Sequence, residues 1–235
     1  MPLAAFLLAS VLGSARAQAE PSPATKPGYL VYPAGPGPGK WRIAAGASMD
    51  ILPRRLVEAE LRLLPKLTGA FRLGLPLGFS AGAELSAIVL SNEVRLVAAW
   101  AHCIGDVCFD IHDRVGLTYG MVTVQGFDAV EWGGVNMPGV SIGVPMGDVR
   151  FTIGWEALLV HSQHVKVGDA TLSRSALSYQ GFQIPFVVEN MLGNGQVIYY
   201  GVTLLSARPD YQLWLAFSDS ERKQVYPRFV AGYEF

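Results

Sequence analysis

The sequence predicts an all-β protein: an antiparallel transmembrane β-barrel of about twelve strands, with ten as the alternative. Three observations carry this prediction. Apolar residues recur with period two in runs of about ten residues, charge is scarce, and the final segment is an amphipathic aromatic strand. Of 235 residues, 51% are hydrophobic and only 16% charged, against about 25% charged in an ordinary globular chain. That composition excludes disorder over most of the length. It also excludes a polytopic helical membrane protein, because no stretch of about 18 residues is continuously apolar. The net charge of −1 offers no basic field, so no nucleic-acid partner is expected.

Residues 1–19 read as an export signal. Leu3 to Leu12 form an apolar core, and Ala17-Gln18-Ala19 matches the small-x-small cleavage pattern before Glu20. About thirteen apolar residues are too few to span a bilayer as a helix. Residues 20–39 form a Pro/Gly-rich tail: six Pro and four Gly fall between Glu20 and Lys40, and Pro36-Gly37-Pro38-Gly39 can continue neither a helix nor a central strand. The tail reads as an exposed spacer, or as a strand around Tyr29 to Tyr32 that binds another envelope protein. The barrel then occupies residues 40–235.

Within it, Val57, Ala59, Leu61 and Leu63 share one face, with Glu58, Glu60 and Arg62 on the other. The same alternation runs from Phe71 to Ala83, from Val94 to Trp100, from Val115 to Met121, from Val149 to Leu159, from Ile198 to Leu204 and from Tyr211 to Phe217. A tilted strand of about ten residues, rising ~3.3 Å per residue, spans the ~25 Å apolar band of a membrane barrel. Turns are expected on one side at Pro65-Lys66, at 91–93, 130–135, 166–169 and 207–210. On the other side they are expected at 49–54, 76–78, 102–112, 145–148, 189–196 and 218–224. A phase slip near Gly181 predicts a β-bulge.

The last ten residues put Phe229, Ala231, Tyr233 and Phe235 on one face, with Arg228, Gly232 and Glu234 on the other. With the leader and the repeated period, this resembles bacterial outer-membrane β-barrel proteins, whose C-terminal strand typically ends in Phe. The resemblance implies residence in the outer membrane among its lipids. It also implies that Phe229, Tyr233 and Phe235 form an assembly signal read by the barrel-insertion machinery.

Alternation also gives the lumen. Inward acids are Glu58, Glu60, Glu84, Glu156 and Glu234; inward bases are Arg62, Arg72, Arg95, Arg150, Arg174 and Arg228. A selective pore would carry a ring of one sign, whereas near-balanced charges pair and fill the space. The expected function is therefore non-enzymatic: a structural or assembly barrel with a mostly filled lumen. A lipid-modifying hydrolase, or a narrow channel or carrier for small or apolar solutes, are the alternatives. The hydrolase would rest on His161, Ser162 and His164, but adjacent strand residues face opposite ways, so no catalytic set is assigned. Cys103 and Cys108 sit with His102 and His112 in a segment that could ligate zinc. In an oxidising compartment, a disulfide in a surface loop is the expected outcome. No metal or cofactor is expected, and no phosphate loop or dinucleotide fingerprint occurs. Trp41, Trp100, Trp132, Trp155 and Trp214 suit interfacial aromatic girdles.

Overall fold

A computed structural model describes residues 30–53, 63–88, 91–124, 127–192, 195–207 and 223–235. The segments that alternate are the strands: β1 (Trp41–Ile51), β2 (Leu63–Gly74), β3 (Phe79–Ala87), β4 (Ser91–Ile104), β5 (Val107–Val124), β6 (Phe127–Met146), β7 (Val149–Val167), β8 (Ala170–Arg174), β9 (Ser178–Met191), β10 (Val197–Ala207) and β11 (Gln224–Glu234). All pair antiparallel, each with its neighbour in the chain except around β8. β11 closes on β1, and β9 joins β7, which pairs β6 on its other side, so the sheet is a closed ring. Closure leaves no strand edge and satisfies the backbone where no water reaches it.

Ten strands make the ring and β8 lies outside it, pairing only with the end of β7. The expectation of about twelve is corrected to the alternative. No turn occurs at Pro65-Lys66, because β2 runs unbroken through it from Leu63 to Gly74. The stretch 130–135 is likewise internal to β6. The turn at Pro76–Gly78 is real, with Leu77 and Gly78 both at positive φ. The expected strand 211–217 lies outside the described residues.

Losing one reversal inverts the side of the turns that follow. The end where β1 begins and β11 ends is called the base here. It carries the turns Pro76–Gly78, Gly105–Asp106 and Gly147–Asp148, and the opposite rim carries Gly168–Asp169. The wall is uneven in height: β5, β6 and β7 have 18, 20 and 19 residues, whereas β3 has 9.

The bulge near Gly181 is present, as a register shift between β7 and β9. Gly181 is needed there: a Cβ would lie 2.1 Å from the Ser206 carbonyl oxygen. A second shift sets Gly134 opposite Ser162 but Val135 opposite Val160, leaving His161 as the extra residue.

Candidate functional site: the lumen and its base plug

The barrel is inverted relative to a soluble protein. Outward Leu67, Leu96 and Leu117 are 72%, 68% and 71% exposed, while inward Glu156, Glu189 and Glu234 are 1%, 0% and 0% exposed. Hydrocarbon outside and charge within is the partition that a bilayer imposes on a closed sheet. The chain folds as a membrane-type β-barrel, apolar outside and charged within.

The lumen has three layers. At the base, residues 30–37 of the segment expected to be an exposed tail fold inward, and this is a correction; residues 20–29 lie outside the described residues. Tyr32 is 4% exposed. Glu189 accepts the Val31 and Tyr32 backbone N–H groups at 2.8 and 2.7 Å, and Glu234 accepts that of Leu30 at 3.1 Å. Arg72 donates to the Leu30 carbonyl at 2.7 Å and to Ser80 Oγ at 2.9 Å. Pro and Gly deprive this segment of a ladder of its own, so lumen side chains supply its backbone partners. Tyr32 packs with Cys108 and Val197 in a buried cluster, under the Arg150 guanidinium at 5.8 Å from its ring.

Above the plug lies a chamber of ≈ 230 Å³, reaching from Leu30 and Val31 to Arg95 and Arg228. Glu156 is its hub: Arg114 pairs with it, His112 Nε2 lies 3.4 Å away, and Gln183 donates to it at 2.6 Å. Arg114 also reaches Glu84 at 3.1 Å, and Arg95 bridges Glu84 at 3.6 Å and Glu93. His112 Nδ1 meets Asp110 at 2.7 Å. Asp50 binds Lys66 at 2.9 Å and pairs with Arg228. Toward the far rim the inward residues turn apolar. Leu52, Leu64, Leu205 and Tyr226 form one buried cluster, and Val135, Met137, Leu158, Val160 and Ala207 form another.

Of the predicted lumen charges, Arg72, Glu84, Arg95, Arg150, Glu156, Arg228 and Glu234 do face inward. Glu58, Glu60 and Arg62 lie outside the described residues. Arg174 stands on β8, in register with Gln163. Asp110 and His112 were missed because 102–112 was read as a loop, and Arg114 because the strand after it was read as starting at Val115. Their alternation with Phe109, Ile111 and Asp113 was the signal available. Glu189 and Lys66 were missed for the same reason, each being assigned to a turn.

Cys103 and Cys108 are disulfide-bonded, as a cross-strand pair in the β4–β5 hairpin. That hairpin is at the base, beside Tyr32, and not in a loop on the opposite side from the termini. His161, Ser162 and His164 do not converge. His164 stacks on Trp132 at 5.3 Å and meets Ser173 Oγ at 3.0 Å on the outer wall near the far rim. This stretch therefore lies at the end opposite the termini. Among the described residues no carboxylate joins them. Phe229 and Phe235 point outward, 43% and 54% exposed, and Tyr233 packs edge-on against Phe235 at 5.0 Å.

No protein-family model matches the chain, and no curated protein matches it. Among solved structures it is similar to the KdgM porin, at 12% identity and a TM-score of 0.40, covering 83% of this chain and 98% of that one. It is also similar to the translocator domain of the autotransporter NalP from Neisseria meningitidis, at 12% identity and a TM-score of 0.37, covering 83% of this chain and 88% of that one.

Proposed function

We propose that the protein is a non-enzymatic, occluded outer-membrane barrel that serves as a structural or assembly component. The observation that carries this reading is the plug. Leu30, Val31 and Tyr32 each donate a backbone N–H to a lumen carboxylate. The paired charges of the chamber and the apolar far layer add two further barriers. Leaving a buried charge without its partner costs several kcal/mol, so the pairs hold closed. The outward aromatic stripe of Phe229, Tyr233 and Phe235 serves as the assembly signal for the barrel-insertion machinery.

The ≈ 230 Å³ polar chamber favours one further reading, a narrow channel for small solutes that opens when the plug leaves. Planar-bilayer recording separates the two. An occluded barrel gives no stable conductance with the plug in place, and deleting residues 30–39 raises leak only modestly, because the apolar far layer remains. A channel gated by the plug becomes strongly conducting on that deletion. A large, stable conductance in the unmodified protein would overturn the occluded reading.

A further inference from the structure

The plug is pinned at Tyr32, and the socket for that pin is built around the disulfide. The Tyr32 ring packs with Cys108 and Val197. It also lies against Gly143, where a Cβ would come within 2.4 Å of its Cε2 atom. Cys108 and Gly143 are paired in register on β5 and β6, so the ring covers that pair. The Tyr32 hydroxyl donates to the Asp106 carbonyl at 3.0 Å. Asp106 stands in the turn between Cys103 and Cys108. One wall of the socket is thus a bridged cysteine, and its end is a carbonyl inside the loop that the bridge closes.

The hairpin itself does not need the bridge. β4 and β5 pair without a break from Ser91↔Gly120 to Ile104↔Val107. Gly105, at φ 59°, supplies the left-handed residue that its two-residue turn calls for. A cross-link within a hairpin already closed by its own ladder adds little, because the loop it constrains is short. What the bridge fixes is local: the Cys108 side chain beside Tyr32, and the tip that carries the Asp106 carbonyl. The two cysteines also differ in access. Cys103 is exposed, whereas Cys108 is 5% exposed.

We propose that Cys103–Cys108 is a thiol–disulfide exchange site for a dithiol reductant, and that its reduction unpins Tyr32 and loosens the plug. The proposal rests on the plugged reading of the barrel given above. The exchange runs in two steps. A thiolate of the dithiol attacks Cys103 Sγ, the accessible partner. A mixed disulfide forms there, the Cys103–Cys108 bond breaks, and its electron pair leaves on Cys108 Sγ, which takes a proton. The second thiol, as thiolate, then attacks the reductant's own sulfur in the mixed disulfide and releases Cys103 as a thiolate, which is protonated in turn. The bridge gains two electrons and two protons, and the dithiol leaves as a cyclic disulfide. Once unbonded, the two sulfurs separate to van der Waals contact. Cys103 turns outward and takes the tip of the hairpin, with the Asp106 carbonyl, off the Tyr32 hydroxyl. Cys108, no longer tethered, is free to change rotamer beside the ring.

The test is amide hydrogen exchange on the whole folded barrel in detergent micelles, read by mass spectrometry with and without dithiothreitol. The reporters are the Leu30, Val31 and Tyr32 amides, which donate to Glu234 and Glu189, and the Gly35 amide, which donates to the Tyr32 carbonyl at 2.9 Å. Reduction should speed their exchange about tenfold, while amides of the β4–β5 ladder keep their rates. Cys103→Ser/Cys108→Ser should exchange at the fast rate with or without dithiothreitol. Tyr32→Ala should also be fast, and reduction should add nothing to it, because the pin is already gone. Unchanged reporter exchange on reduction would overturn the proposal. So would an equal acceleration by reduction in Tyr32→Ala, which would route the effect around the socket. Acceleration spread over β4 and β5 would overturn it as well, making the bridge a brace of the wall. Failure of the plugged reading shows separately, as a large conductance of the oxidised, unmodified barrel in planar bilayers.

Discussion

Glu156 is 1% exposed and touches three partners on two other strands: Arg114 and His112 on β5, and Gln183 on β9. Each partner reaches it by strand parity, since even positions of β5 and β7 and odd positions of β9 face inward there. A carboxylate held this way is stable only as part of its network. Arg114→Ala should therefore destabilise the barrel by about 3–5 kcal/mol in urea unfolding, since Glu156 is left buried without its main counter-ion. The double variant Arg114→Ala/Glu156→Ala should recover much of that loss, because the orphaned charge goes with its partner. Additive single effects would show that the two residues are not coupled. The sequence announced Glu156 through the alternation of β7. It concealed Arg114, because 102–112 was read as a loop and the next outward position, Asp113, is polar and breaks the alternation.

At the scale of elements, the plug and β2 meet at one glycine. Gly39 donates to the Gly74 carbonyl and Gly74 to the Lys40 carbonyl, both at 2.9 Å. A Cβ on Gly74 would lie 2.1 Å from the Pro36 carbonyl oxygen and 2.3 Å from that of Gly37. Backbone atoms at that distance cannot yield without moving the segment. Gly74→Ala should thus push the 36–39 turn out of the base and raise ion leak in planar bilayers, while the intact β1–β2 ladder keeps the barrel assembled. Unchanged leak would mean that the turn re-seats without loss of closure. The Pro/Gly run made this segment legible as non-ladder backbone. Its destination was not legible, because the carboxylates that receive it, Glu189 and Glu234, lie more than 150 residues away in the chain.

For the whole molecule, ten ring strands place both ends of the barrel sequence at the base, with the Cys103–Cys108 hairpin beside them. If the base is periplasmic, as the resemblance of the final strand implies, an epitope inserted between Gly105 and Asp106 should stay hidden on intact cells. It should become accessible only once the outer membrane is permeabilised. An epitope between Gly168 and Asp169 should behave oppositely, being accessible on intact cells. Surface display of the first epitope would invert the orientation of the barrel. This prediction is whole-molecule in kind because sidedness is cumulative: one misread reversal, at Pro65-Lys66, is enough to exchange the ends for the hairpins from Pro76–Gly78 to Gly168–Asp169.

The sequence by itself determined the fold class, the inward set from Arg72 to Glu234, the bulge near Gly181, and the partnership of the two cysteines. All four follow from local facts: the two-residue period of a strand, the loss of phase where a residue is inserted, and the proximity of two thiols in one segment. The tertiary structure alone decided the strand number, the side on which each turn falls, the entry of Leu30 to Gly39 into the base, and the pairing of Asp113 with Asn136 on the outer wall. These depend on which strands lie side by side. Period-two patterning tells which face a residue takes, but it carries no information about the partner strand, since any antiparallel neighbour satisfies the same alternation. Register and closure, set by the whole ring at once, supply what alternation cannot.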